Sequence, residues 1–315
     1  MIRHQSFSTV PTADKGASVA IGNFDGVHLG HQAVIDLARD QAETLLAPLG
    51  IITFEPHPRT FFAPDAPPFR LMSANAKAAR LEKLGVEKLY EVPFNPDLSN
   101  LTAQEFVDQV LVWGLGVSHV VVGADFRFGK GRTGTAEMLK EAGASKGFGV
   151  TIVPLVSDGS GQFSSTAIRD ALSAGRPEEA ARMLGHWHRI EGRVEKGDQR
   201  GRDLGYPTAN IGMDGLHQPK YGVYAVVVDI MSGAHQGRYH GAASMGVRPT
   251  FGINHPNLES YLFDFKGDIY GADISVALVD YIRPEEKFDD LDALIKQMDA
   301  DCEKARAILA KVVSD

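Results

Sequence analysis

The chain has 315 residues, of which 43% are hydrophobic and 23% charged, with a formal net charge of −8 and a single cysteine. That length exceeds what one hydrophobic core commonly supports, so two domains are expected, and the ordinary composition indicates a globular fold. The negative balance offers no general attraction to nucleic acid or anionic lipid, and Cys302 alone makes neither an internal disulfide nor a metal site. The start, MIRHQSFSTVPTADKG, has no apolar core after its charges, and no later segment approaches the length of a membrane span, so a cytoplasmic location is expected.

Over residues 1–185, short β-rich runs alternate with helical patterns. The runs are Val19 to Ile21, Gly50 to Phe54, Lys88 to Val92, His119 to Val122 and Val150 to Pro154; the helical patterns are Gln32 to Leu46, Ser73 to Leu84 and Ala103 to Trp113. This alternation predicts βαβ units around a doubly wound parallel sheet, whose ligands bind at the carboxyl ends of the strands.

The first such end carries GNFDGVHLGH, Gly22 to His31. Gly22, Gly26 and Gly30 supply backbone freedom, and a helix is predicted to begin near His31. His28 and His31 then share one face beside unpaired N–H groups and the positive end of the helix dipole, which suits polyphosphate. On spacing alone a capped loop fits equally. The second end carries TFEPHPRTFF, a proline-stiffened loop with His57 and Arg59. The fourth carries GADFRFGKGRTGT, where Arg127, Lys130 and Arg132 interleave with Phe126 and Phe128. That mixture suits an anionic aromatic ligand, or a solvated loop with two anchoring rings. After the fifth run, SSTAIRDAL (Ser164 to Leu172) reads as a helix capped by Ser165 or Thr166, with Arg169 in the first turn. A cation there opposes the dipole unless an anion binds.

The pattern changes near Gly185. From Ile190 the apolar residues alternate in period two, at Tyr221 to Ile230, Arg238 to Met245, Leu258 to Phe265 and Ile274 to Ile282, predicting a small antiparallel β-barrel. A closing helix is expected to pack one face, formed by Phe288, Leu291, Ile295, Met298, Cys302, Ala305 and Leu309, against it. In GDQRGRDLGYPTANI, Gly197, Gly201 and Gly205 form an arch with Arg200 and Arg202. If residues 208–210 are extended, Thr208 and Asn210 share a face and can share one Mg²⁺ with phosphates; a turn rich in Gly and Asn is equally compatible. In LESYLFDF, alternation places Glu259 beside Tyr261, Phe263 and Phe265. Such a face favours the neutral acid and hence a general base, and a rim glutamate reaching solvent is the alternative.

These stretches carry a resemblance. Gly22 to His31 resembles the HxGH signature of the nucleotidylyltransferase superfamily. With Phe24, Asp25 and Gly26 in front, it is similar to the adenylyltransferase module of prokaryotic bifunctional riboflavin kinase/FAD synthetases. Ser164, Ser165, Thr166 and Arg169 match that family's second nucleotide signature. TFEPHP and GADFRFGKGRTGT resemble further motifs of it, Thr135 standing where Asp or Asn is commoner. The arch with PTAN, LESYLFDF, Gln218 to Tyr224 and Gly241 to Phe251 resemble the kinase module, with Ser244 in place of the commoner Asn.

The resemblance implies an FMN adenylyltransferase domain over residues 1–185, with the α/β nucleotidylyltransferase fold, and a β-barrel riboflavin kinase domain over 186–315. Riboflavin and ATP would give FMN; FMN and ATP would give FAD and pyrophosphate. It implies nucleotide contacts by Gly22, Asn23, Phe24, Asp25, Gly26, His28, His31, Ser164, Ser165, Thr166 and Arg169, and in the kinase by Gly197, Gly201, Arg202 and Gly205. His57, Pro58, Asp125, Phe126, Phe128, Arg132 and Tyr261 would contact flavin, Thr208 and Asn210 would hold Mg²⁺, and Glu259 would be the kinase base. His28, His31 and Arg169 would act in transfer by positioning and charge neutralisation. Neither nucleic acid nor membrane is implied as a partner, and self-association stays open. Two alternatives remain: another HxGH nucleotidylyltransferase, for phosphopantetheine or a cytidylyl group, and a non-catalytic flavin-binding or sensor protein.

Overall fold

The β-branched runs of the first half form a six-stranded parallel sheet. Its strands are β1 (Ile2–His4), β2 (Ser18–Ile21), β3 (Leu49–Glu55), β4 (Lys88–Pro93), β5 (His119–Gly123) and β6 (Gly149–Val153), in the order β1-β4-β3-β2-β5-β6. The structure, a computed structural model, describes residues 1–154, 157–158, 161–196, 205–250, 253–288 and 290–312. The five predicted strands are present; β1, too short for any periodicity, was not foreseen. Val19, Ile52, Val92 and Val120 enter one core cluster, while Ala20, Ile51, Leu89 and Val121 are equally buried between them. The sheet is thus covered on both faces, as parallel sheets require. The covering helices include α1 (Leu29–Leu45), α3 (Ala74–Lys83) and α5 (Ala136–Lys146), with the short α2 (Pro58–Phe62) after β3. Between α3 and α5, α4 runs Ala103–Glu105 and widens to π winding over Phe106–Leu115, burying Phe106, Val110 and Leu111.

By their internal contacts, residues 1–67 and 74–163 form one unit, and residues 68–73 and 164–315 the other. The second unit therefore includes α6 (Ser165–Ser173) and α7 (Pro177–Leu184) as well as the β-rich region. That region is a curled antiparallel sheet of β7 (His188–Arg193), β8 (Thr208–Gly212), β9 (Gly222–Ile230), β10 (Gly237–Thr250), β11 (Ile253–Leu262) and β12 (Asp273–Arg283), in the order β7-β12-β9-β10-β11-β8. Its two edges approach at a Glu195–Asn210 bridge, where Glu195 N–H donates to the Asn210 carbonyl at 2.9 Å.

Strand β9 is buried on both faces. Tyr224, Val226 and Val228 point into the curl, whereas Val223, Ala225 and Val227 lie under the closing helix α8 (Leu291–Leu309). Helix α8 packs its second half, through Cys302, Ala305 and Leu309; the expected stripe fails at its start, where Leu291 is 52% exposed and Phe288 precedes the helix. The buried carboxylate of that face, Asp301, accepts a bidentate pair from Arg283 at 2.8–3.0 Å and a third bond from Gln297. Burial pushes the Cys302 thiol up to about 11, which favours the protonated form at neutral pH and a packing role.

Candidate active sites

In the first unit, strand β2 delivers the chain into the loop that precedes α1. Helix α1 begins at Leu29, two residues earlier than the sequence suggested, because His28 is its N-cap: its Nδ1 accepts the His31 backbone N–H at 3.3 Å. The two imidazoles stack, with centroids 3.6 Å apart and planes 19° off parallel, and the Phe24 ring stands 5.1 Å from His31. Desolvation, reinforced by the charges of His28 and Lys77, holds the His31 imidazole well below its ordinary value, so the ring is neutral. His31 Nδ1 is buried without a hydrogen-bond partner among the described residues. A neutral ring with an unused polar atom beside the start of a helix can meet an incoming polar ligand.

The loop's backbone strain does not sit where the glycines suggested. Of Gly22, Gly26 and Gly30, only Gly26 takes a left-handed φ, +89°, while Phe24 (+51°) and the β-branched Val27 (+45°) take it too. Such residues cost roughly 1–3 kcal/mol each and persist only where packing determines them, and here both side chains are fully buried. Gly30 serves a different end: a Cβ there would lie 3.1 Å from two atoms of the His28 ring. Asp25 is buried in the same loop, and the Asn23 side chain is exposed.

A row of aromatic rings joins the loops after β3 and β5 of this unit. His57 caps α2, its Nδ1 accepting the Arg59 N–H at 3.1 Å, with Pro58 as the first helical residue. Helix α2 presents Phe61 and the 69%-exposed Phe62 to Phe94 at 5.3 and 5.6 Å. Phe94 meets Phe54 at 5.9 Å, Phe54 meets Phe106 at 6.5 Å, and Phe106 meets Phe128 at 5.5 Å; Phe128 stacks on Phe126 at 5.6 Å. Sequence reading found Phe126 and Phe128 but not Phe54, Phe62, Phe94 or Phe106, which stand on separate elements with no common spacing. Asp125 and Arg132 are exposed, Arg132 with a left-handed φ of +57°. Thr135 caps α5 by accepting the Met138 N–H at 3.2 Å, so this departure from the commoner Asp or Asn keeps a capping oxygen in place.

A buried lysine in this unit was missed. Lys77, 2% exposed, donates to Glu55 Oε1 at 2.8 Å, Thr53 Oγ1 at 2.9 Å and the Asn23 carbonyl at 3.3 Å. Its signal in the sequence was a cation among the small apolar residues Ala76 and Ala78.

In the second unit, the cap of α6 is Ser164, whose Oγ accepts the Ala167 N–H at 3.1 Å; Ser165 and Thr166 are its first helical residues. Arg169 is consequently the fifth helical residue, beyond the first turn where the dipole acts most. Its Nε donates to the Phe69 carbonyl at 2.6 Å, and its guanidinium lies 5.3 Å from the Phe69 ring centre, so fixed partners hold it within its own unit.

The kinase-like constellation assembles across three strands. Glu259 on β11 is paired in register with Asn210 on β8 and with Ser244 on β10. Thr208 and Asn210 do share a face, Asn210 Nδ2 standing 3.4 Å from Thr208 Oγ1. Asn257, two residues before Glu259 on the same strand, donates from Nδ2 to Glu259 Oε1 and to Asn210 Oδ1, both at 3.2 Å, and period-two spacing would have revealed it. Tyr261, opposite Thr208, packs on Tyr206 and Phe263 at ring distances of 5.0 and 5.9 Å. Strand β11 ends at Leu262, so the alternation fails beyond it: Phe263 stays in the cluster of Tyr261, but Phe265 falls on the other side with Leu258 and Leu262. There Phe265 joins Thr208, Asn210, Asp268 and Tyr270 around a cavity of about 290 Å³. Gly205 takes a φ of +86°, whereas Gly197, Arg200, Gly201 and Arg202 lie outside the described residues.

Known proteins match both parts of the chain. The FAD synthetase family model matches residues 10–167 and the riboflavin kinase model residues 184–309. The bifunctional riboflavin kinase/FMN adenylyltransferase of Pseudomonas fluorescens is 42% identical over 297 residues, covering 94% of each chain. The enzyme of the same description from Escherichia coli K12 is 39% identical, covering 91% of each. Among solved structures, a Streptococcus pneumoniae protein described as a macrolide-efflux protein superposes with a TM-score of 0.84 at 36% identity, over 97% of this chain and 98% of its own. Among the described residues, however, no helix is long and apolar enough to cross a membrane. The chain belongs to the bifunctional riboflavin kinase/FMN adenylyltransferases, transferases that make FMN and FAD from riboflavin with ATP.

Proposed function

We propose that the two reactions are divided along the chain, adenylylation of FMN to FAD over residues 1–185 and phosphorylation of riboflavin over 186–315. The observation that carries this division is that each half holds a chemically different group: a stacked His28–His31 pair at a helix N-terminus in one, and Glu259 among Asn210, Asn257 and Thr208 in the other. In adenylyl transfer an FMN phosphate oxygen attacks the α-phosphorus of ATP and the bond to the β-phosphate breaks, releasing pyrophosphate. No protein nucleophile is required, so His28, His31 and the N–H groups opening α1 orient and stabilise the phosphates, with Asn23, Phe24 and Asp25 shaping the loop. Ser164, Ser165, Thr166 and Arg169, in the second unit, are nucleotide contacts by their likeness to the second signature. The flavin ring lies along the aromatic row, near Phe62 and Phe126, with His57, Pro58, Asp125 and Arg132 around it.

In the kinase half, Glu259 accepts the proton of the ribityl hydroxyl as that oxygen attacks the γ-phosphorus, and ADP leaves. Asn257 holds the carboxylate toward Asn210, and Tyr261 flanks the flavin. The cavity beside Thr208 and Asn210 takes ATP, and by the resemblance Gly197, Gly201, Arg202 and Gly205 are nucleotide contacts. Thr208 and Asn210 share a face and each carries a side-chain oxygen, a hard donor suited to Mg²⁺, which when bound would neutralise phosphate charge. A cytoplasmic location fits the supply of both substrates. Incubation with ATP and riboflavin, with riboflavin, FMN and FAD resolved over time, tests the reading. FMN should precede FAD, with turnover far beyond one equivalent of flavin; no turnover would favour a flavin-binding protein.

A further inference from the structure

Lys77 has no place in the chemistry above, yet it occupies one of the least favourable positions in the molecule for a charge. Helix α3 buries Ala76, Ala78 and Leu81 alongside it, a setting that Leu or Met would fill without the desolvation cost of an ammonium. What the ammonium reaches is specific. Glu55 closes strand β3 immediately before the His57 loop, and Asn23 opens the nucleotide loop after β2. Thr53 Oγ1 also donates to the Asn23 carbonyl, at 3.2 Å, so that carbonyl accepts from two groups at once. The next residue is Phe24, in its left-handed conformation, and the Phe24 ring stands against His31. A continuous path therefore runs from the ammonium through a fixed peptide and a strained residue to a ring of the stacked histidine pair.

We propose that Lys77 is a positioning residue for adenylyl transfer, clamping the nucleotide loop at Asn23 to the flavin loop at Glu55 so that His28 and His31 stand in reactive register. This rests on the assignment of adenylyl transfer to residues 1–185. Lys77 does not touch substrate; it sets the spacing of two loops that do. Its buried charge is retained because only a multiply donating cation bridges a carbonyl, a hydroxyl and a carboxylate at one point.

The test is the double substitution Lys77→Met with Glu55→Gln, which removes both charges at similar volume and leaves neither buried alone. Thermal melting checks folding. The expected result is a folded protein whose kcat for FMN adenylylation falls roughly 10- to 100-fold, a larger change than in KM for ATP or FMN, while riboflavin phosphorylation stays within about twofold. A folded double variant within threefold of the parent in kcat, or one altered in KM alone, overturns the proposal. If the double variant does not fold, Thr53→Val decides: losing one of the two donors to the Asn23 carbonyl should lower kcat several-fold, and no change overturns the clamp. A folded His28→Ala/His31→Ala variant is the control, since undiminished FAD formation from FMN there would refute the assignment of the reaction to residues 1–185 rather than the role of Lys77.

Discussion

Glu259→Gln isolates the proton-transfer step of the kinase half. Glutamine has the same length, and its amide oxygen can still accept from Asn257 Nδ2, which stands 3.2 Å from Oε1 in the parent. The register with Asn210 and Ser244 is set by backbone bonds and is untouched. The side chain is only half-buried, so the cost to folding should stay within about 0.5 kcal/mol. What is lost is the capacity to accept a proton, worth about two to four powers of ten in rate, or roughly 2.7–5.4 kcal/mol of barrier. The assay is chromatographic: riboflavin with ATP should yield FMN that much more slowly, whereas supplied FMN should become FAD at close to the parental rate. Riboflavin binding should persist, because Tyr261 and its ring neighbours are unchanged. A folded Gln variant that phosphorylates riboflavin within a few-fold of the parent would remove Glu259 from the mechanism.

Further predictions address the other half, the link to α6 and the buried histidine of β7. Gly30→Ala places a methyl 3.1 Å from the His28 ring in a helical first turn, so melting temperature should hold or rise while FAD formation falls about tenfold; unchanged FAD formation would show that the stacked pair tolerates displacement. Arg169→Ala removes a charge-assisted bond to the Phe69 carbonyl and should cost about 1.5–3 kcal/mol in the unliganded protein, seen in denaturant melts; an unchanged midpoint would leave Arg169 to phosphate contact alone. Burial, with the charges of His217 and His186, depresses His188 from 6.5 to about 3. Below about pH 6.5 the unfolded chain therefore binds a proton that the folded chain refuses, and this stability contribution is lost as pH falls toward 3, by up to about 1.4 kcal/mol per unit. Melting from pH 7 to 4 should show a shallower slope for a folded His188→Gln variant, by about one proton; equal slopes would refute the reasoning.

Sequence alone determined the two-part architecture, since strand and helix periods are properties of local chain order. It also made the loop of His28 and His31 legible, together with the shared face of Thr208 and Asn210, because residues two to three apart along one element meet without help from the rest of the fold. It misplaced the cap of α6, where Ser164, Ser165 and Thr166 are equally good capping types and only backbone geometry chooses. It carried the alternation past Leu262, where the strand ends and Phe265 turns to the other side. What only the tertiary structure decided are the groups drawn from separate elements: the aromatic row from Phe62 to Phe126, the Asn210–Glu259–Ser244 register across three strands, and Lys77 between Asn23 and Glu55. The reason is physical. Periodicity reports which way a side chain faces, but its partner across a sheet or beneath a helix depends on register and packing, which no local stretch of chain encodes.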